Sequence, residues 1–346
     1  MNDTSTRKHQ PSLTDVAQRA DVSVSTASRA LLGQTGVSLL TKRRVVAAAH
    51  ALGYIKDVRA QALRSLPSPT IGLHVRSVRL SHYGELIAAL QSGFADHGFA
   101  LTVAAAWDDA DDGAAAFRAL AGTRPMGLIV ASGRLPVSVV EHHSRILPVV
   151  MIGQGVDSRS LGVVSDDEVG IESLAQLLYD RGHRAVGVFA LDETHSRSLT
   201  ARAQRIRHTL AMRGMARVEI AMHAGSDVPI DRSLREAART ATAIMCPSDA
   251  MLVAAWESLA ATGVRVPEDV SLTGYDGVGQ LTSPVLGITS WRQPTETIAQ
   301  AVVTQMVDRI HQGVDSRHER FRGTLVPGRT VAAARATRPA VARVAG

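Results

Sequence analysis

The side chains in this sequence best arranged to read another molecule lie near its start. In residues 12–32, SLTDVAQRADVSVSTASRALL, Leu13, Val16, Ala17 and Ala20 make one apolar helical face, with Ser12 placed to cap it. Asp21-Val22 makes a tight turn, and Ser23 caps a second helix whose inner face is Val22, Ala27 and Leu31. Alanines at 17, 20 and 27 let the two helices cross closely. This is a helix-turn-helix pattern, in which the second helix enters the DNA major groove. Its outward side chains are Val24, Ser25 and Thr26, with Arg29 one turn on. Hydroxyls can bond bases or phosphates, and an arginine can hold a guanine through two parallel hydrogen bonds. Thr41-Lys42-Arg43-Arg44 opens a third helix whose amides and cations suit a phosphate.

Other chemistries are poorly served. Glu141-His142-His143 lacks metal-ligand spacing and reads as a solvated helix end. Gly153-Gln154-Gly155 and Gly277-Val278-Gly279 are isolated pairs that do not open a phosphate loop. The single cysteine, Cys246, follows apolar Ile244-Met245 and reads as a buried thiol; alone it excludes a disulfide framework. No Ser/His/Asp set is identifiable from residue order. The expectation is no catalytic residue, no metal and no cofactor.

The charge balance isolates the same N-terminal stretch. Residues 1–66 hold ten Lys+Arg and four Asp, an excess of six that equals the formal +6 of the whole chain. The remaining residues are balanced, so a small basic head on a neutral body points to a polyanionic partner for the head alone. Pro67-Ser68-Pro69 is the clearest boundary, because prolines at both ends forbid a continuing helix. Beyond it short apolar runs alternate with amphipathic helices. Strands are expected at 71–75, 100–105, 127–131 and 147–152, with helices at 85–97, 110–121 and 137–143. A second run follows, with strands at 185–191, 218–222, 242–246 and 270–274 and helices at 167–181, 198–213, 231–239 and 249–262. A last helix, 295–312, comes after the apolar stretch 284–291. Two runs of strand–helix alternation imply two similar lobes of parallel sheet wrapped by helices, with ligands in a cleft beyond the strands' carboxyl ends.

Residues 12–66 resemble the lactose-repressor (LacI/GalR) family of bacterial transcription regulators. The likeness runs from the helix-turn-helix through Val37-Ser38, Thr41, Val45, Ala48 and Leu52-Gly53-Tyr54 to Ala60 and Leu63. It implies DNA contacts by Leu13, Thr14, Ser23, Val24, Ser25, Thr26, Ser28, Arg29 and Thr41. It also implies a hinge helix over 57–65 whose Leu63, with Ala60 on the same face, wedges into the minor groove. Lys56-Asp57 stands where the family usually has Pro-Asn, although Asp57 can still cap a helix.

In the body, GHRAVGVFA (Gly182 to Ala190), PSDAM (Pro247 to Met251) and VPEDVSLTGYD (Val266 to Asp276) look like landmarks of the same family. They imply lobes of periplasmic-binding-protein type with a small molecule between them. Arg202 and Gln293 match effector-binding positions, and Ser248 stands where an Asn is usual. Asp276, at a strand's carboxyl end, suits sugar hydroxyls, and Tyr83 could stack on a ring. Several expected polar groups differ: Gly153 replaces a pocket Asp, and Arg205 replaces a glycine. These changes point toward a non-standard ligand. Trp107 and Trp291 read as core.

The expected fold class is an all-α helix-turn-helix head plus an α/β body of two doubly wound parallel-sheet lobes. The expected division is a head at 1–56, a hinge and linker at 57–70, an effector and dimerisation body at 71–330, and a disordered tail at 331–346. The resemblance implies a homodimer on pseudo-palindromic double-stranded operator DNA, controlled by a carbohydrate-like effector. No leucine heptads follow residue 325, so no coiled-coil tetramer is expected. The polar first ten residues and the lack of an uncharged apolar run of ~18 point to a cytoplasmic protein. A solute-binding protein would leave the basic head unexplained, and a non-specific DNA binder would leave the body unexplained.

Overall fold

The computed structural model describes residues 11–31, 35–52, 54, 68–105, 110–153, 161–167, 169–192, 195–223 and 229–335. The chain divides into two compact units between Ser68 and Pro69. The expected hinge helix, with Ala60 and Leu63, and Trp107 lie outside the described residues.

The first unit is all helix: α1 (Leu13–Arg19), α2 (Val24–Leu31) and α3 (Leu39–Leu52). Its small core is Val16, Ala17, Ala20, Ala27, Ala30, Val45, Ala48 and Ala49, edged by Leu13, Val22, Leu31, Val37, Leu52 and Tyr54. So many alanines leave little bulk between the axes, which permits close helix crossing.

The second unit holds two lobes. The first has a six-stranded sheet from β1 (Ser68–Val75), β2 (Ala100–Ala105), β3 (Pro125–Ala131), β4 (Val149–Ile152), β5 (Gly162–Asp166) and, from far along the chain, β11 (His318–Phe321). Helices α4 (Ser81–Ala95), α5 (Ala110–Gly122), α6 (Val137–Ser144) and α11 (Thr295–Gln312) belong to it. The second lobe has β6 (Ala185–Phe189), β7 (Ala216–Ile220), β8 (Ala243–Met245), β9 (Ser271–Asp276), β10 (Thr289–Arg292) and β12 (Thr324–Val326), with α7 (Val169–Asp180), α8 (Arg197–Met212), α9 (Asp231–Thr240) and α10 (Asp249–Ala260).

The two sheets share one strand order, β11-β5-β4-β3-β1-β2 and β12-β10-β9-β8-β6-β7. The described pairings are parallel except β10 with β12. In each sheet the order reverses beside the lobe's first strand, at β1/β3 and β6/β8, and there the loops splay apart to leave a crevice.

The alternation read from the sequence is therefore present, but the lobes are not two consecutive halves. The chain passes between them after β5, after β10 and again between β11 and β12. Helix α11 returns to the first lobe because Ile298, Ala299, Val302, Val303 and Met306 complete the apolar layer over Ile71, Leu73, Leu86, Leu90 and Phe94. The expected disordered tail is corrected over its first residues. Val331 is buried, the Ala334 amide donates to the Arg181 carbonyl at 2.8 Å, and both ring nitrogens of His183 bridge Thr242 Oγ1 and the Ala332 carbonyl at 2.8 and 3.1 Å. The remainder, 336–346, lies outside the described residues.

Candidate functional site

The head's geometry follows from three serine caps. Ser12 and Asp15 form a reciprocal capping box, with Ser12 N to Asp15 Oδ2 at 2.7 Å and Asp15 N to Ser12 Oγ at 3.3 Å. Ser23 Oγ accepts from the Thr26 amide at 3.1 Å, and Ser38 Oγ from the Thr41 amide at 3.2 Å. These bonds satisfy helix-start amides and fix where each helix begins. The turn before α2 uses Asp21 with φ 51°, a conformation Asp tolerates.

Ser23, Val24, Ser25 and Arg29 are exposed on or beside α2, and Thr14 is exposed on α1. Leu13, Thr26, Ser28 and Thr41 are half-buried. Leu13 packs on the core, while Thr26 and Thr41 bond back to Ser23 and Ser38 at 2.8 and 2.9 Å. The third helix starts at Leu39 rather than Thr41, because Ser38 supplies the cap. Arg44 also serves the head's own structure: its guanidinium donates to the carbonyls of Ala20 and Asp21 and so ties α3 to the turn, while remaining exposed beside Lys42 and Arg43.

In the body a cleft of about 340 Å³ opens where the two sheets' carboxyl ends face each other. Tyr83, Arg202, Ser248, Asp276 and Gln293 all line it. They come from α4, α8, the cap of α10, the end of β9 and the residue after β10. The topology thus gathers residues more than 200 positions apart.

Arg202 is 7% exposed. It donates to the Pro247 carbonyl and to Asp276 Oδ1, each at 3.1 Å, and lies 4.2 Å over the Tyr275 ring. Gln293 Nε2 donates to the same Asp276 Oδ1 at 2.6 Å, while its backbone amide bonds the Asp276 carbonyl at 3.1 Å. These bonds hold Asp276 at φ 121°, a backbone state that costs a non-glycine residue about 1–3 kcal/mol. Such strain persists only where the surroundings over-determine it, which marks the position as a built part of the cleft. Tyr275 donates to Asp166 of the other lobe, joining β9 to β5. Burial raises the Tyr275 and Tyr83 phenols above their ordinary range, so both remain neutral.

Ser248 caps α10, its Oγ accepting from the Met251 amide at 3.2 Å. Its hydroxyl therefore serves the helix as well as facing the cleft. Asp249, the residue after Ser248 and no candidate from the sequence, is a buried wall residue. Its carboxylate accepts from Ser290 Oγ at 2.6 Å and the Val278 amide at 2.9 Å. Burial, with Asp276 nearby, pushes its carboxyl up to about 7. Gly153 has φ 126°, and a Cβ there would come within 2.9 Å of Ser198 Oγ from the other lobe, so an Asp at this position would be strained unless Ser198 turned aside.

Two contacts close the cleft's rim: Gly279 N to Glu85 Oε1 at 3.0 Å, and Arg197 N to the Gly133 carbonyl at 3.0 Å. Sequence reasoning also missed Arg76, a buried wall residue directly after β1. The signal was available, since a charge immediately past the carboxyl end of a buried strand faces the crevice.

The remaining sequence candidates stay structural. Cys246 is buried, with its thiol pushed up by burial. His143 stacks edge-on against Phe117 at 5.0 Å, and Trp291 is buried against Gly170 and Gly323. Among the described residues no cluster could hold a metal ion, and no helix is long and apolar enough to cross a membrane.

Known proteins divide the chain the same way. Residues 12–57 match the model for bacterial regulatory proteins of the lacI family, and residues 175–331 match a periplasmic binding protein-like domain. The HTH-type transcriptional repressor PurR of Salmonella paratyphi B is 27% identical over 333 residues, covering 92% of this chain and 96% of that protein. Among solved structures, the lac repressor dimer bound to operator and the anti-inducer ONPF superposes with a TM-score of 0.75 at 22% identity, covering 94% of this chain and all of that one. The complex of the regulator CelR with cellobiose gives 0.64 at 24% identity, covering 93% of this chain and all of that one. The chain therefore carries a DNA-binding head of the lacI family of bacterial regulatory proteins on a two-lobed body of periplasmic-binding-protein type.

Proposed function

We propose that the protein is an effector-controlled transcriptional repressor that works as a homodimer on a pseudo-palindromic operator. The observation that carries this reading is the convergence of Tyr83, Arg202, Ser248, Asp276 and Gln293 on one interlobe cleft in a chain that also bears a helix-turn-helix head. Two copies would place α2 in successive major grooves, with Val24, Ser25 and Arg29 toward base edges and Thr14, Ser23, Thr26, Ser28 and Thr41 toward the backbone. Leu13 supports α1 from below. Ala60 and Leu63 would hold the intervening minor groove from a hinge at 57–70.

The body would bind a sugar-like metabolite, as the cellobiose and ribose complexes of family members suggest. Lobe closure would change with occupancy and alter operator affinity by about 5–150-fold, the usual range of allosteric coupling. Genome-wide mapping of bound sites would supply the operator and, from its neighbouring genes, candidate effectors. With that operator, Arg202→Ala should lose the ligand response while DNA retention persists in a mobility-shift assay. An unchanged response would remove Arg202 from the site. Tight retention of the operator by residues 71–346 alone would overturn the reading.

A further inference from the structure

The cleft's two walls differ in chemistry. On the second lobe the acidic groups are already engaged. Asp276 Oδ1 accepts from Arg202 and Gln293, and Asp249 accepts from Ser290 and Val278. With its carboxyl near 7, Asp249 also sheds part of its negative charge around neutrality.

The first-lobe wall sets donors among apolar residues and carries no acid among its lining residues. Arg76 is 7% exposed, lines the cleft and is fixed there by its hydrogen bond with the Tyr83 side chain. Arg79 lines the exposed mouth. His82 also lines the cleft, and its buried Nδ1 has no hydrogen-bond partner. The same wall is the start of α4, whose capping residue Leu80 offers no side-chain acceptor and whose first turn holds no acid. Its positive helix end is thus left uncompensated locally. Gly153, on the same lobe, adds no carboxylate to this wall.

A buried guanidinium, Arg76, with an exposed one, Arg79, beside a helix start is the chemistry of anion recognition, since arginine matches carboxylate and phosphate oxygens in bidentate fashion. We propose that the cleft takes a small polyhydroxy anion, a sugar acid or sugar phosphate, with its charged group against Arg76 and Arg79 and its hydroxyls toward Asp276 and Gln293. This rests on the reading of the cleft as the effector site.

The test is calorimetric titration of the full chain at constant ionic strength with D-gluconate, D-glucose 6-phosphate, inorganic phosphate, D-glucose and D-ribose. At least one sugar anion is expected to bind about tenfold or more tightly than either neutral sugar. Gluconate against glucose 6-phosphate decides between carboxylate and phosphate. Arg79→Gln, an exposed change, and Arg76→Gln should each weaken the anion about tenfold while leaving thermal unfolding of the Arg79 variant unchanged. Neutral sugars binding as tightly as the anions, no binding by either sugar anion at millimolar concentration, or indifference of the anions to both variants overturns the assignment. Inorganic phosphate binding as tightly as glucose 6-phosphate removes the polyhydroxy part of it. If a neutral sugar binds and Arg202→Ala abolishes that binding, the effector cleft stands and only the anion falls. If the anions bind but ignore Arg202→Ala, the cleft reading falls too.

Discussion

Asp249 couples the cleft to pH. Its folded-state carboxyl lies near 7, well above the ordinary 3.8, because burial and the neighbouring Asp276 disfavour the charge. The folded chain therefore keeps a proton that the unfolded chain releases. That contribution to stability is complete below about pH 4 and is lost as the pH rises through 7. Denaturant unfolding at pH 5 and pH 8 should show this decline, and Asp249→Asn should flatten it; an equal slope in the variant would detach the effect from Asp249. At the other end of the chain, Arg29→Ala should cost ~1–3 kcal/mol at one operator position and relax the preference there. A uniform loss across all sequences would instead mean that Arg29 holds a phosphate. These residues were not equally visible in the sequence. Arg29 is legible because helix period alone puts it on the outer face of α2. Asp249 and Arg76 are not, because their roles depend on which loop of the other lobe stands opposite.

The elements were more readable than their partners. Helices α4 to α11 lie close to where apolar spacing puts them, since each needs one buried stripe. Strand β5 was missed because Gly162–Asp166 is short and half polar, and β11 because His318–Phe321 lies at a sheet edge with alternate residues exposed. No local pattern says that β11 pairs with β5, about 150 residues earlier in the chain. Two of the three caps are legible, Ser12 and Ser23, each three residues before a side chain hydrogen-bonded to it, whereas Ser38 is not read as one and the third helix is expected to open at Thr41. Ser38→Ala should cost the head about 1 kcal/mol, seen as a lower thermal midpoint of the first unit. A change within error would mean that water replaces the cap at no cost.

For the molecule as a whole, the excess charge lies in the first 66 residues and the body is neutral. The logarithm of operator affinity should then fall linearly with the logarithm of salt concentration, with a steep slope that reports the phosphates neutralised. A flat profile would remove the basic head as the contact. The C-terminal segment is bound to the second lobe through His183, whose burial lowers its basicity and keeps the ring neutral enough to bridge donor and acceptor. His183→Ala should speed proteolytic trimming back past residue 331, measured by mass spectrometry; resistance equal to the parent chain would assign the anchoring to Arg181 and Arg335 instead.

The repeated passage between lobes also sets the order in which a ribosome can deliver this fold. The first lobe is begun at β1, but its apolar layer lacks α11 and its edge lacks β11 until residue 321 has emerged. The head's own core is finished by Tyr54. During synthesis the DNA-reading module is thus complete while the first lobe of the body is still an open sheet, its greasy face bare until α11 and β11 have emerged.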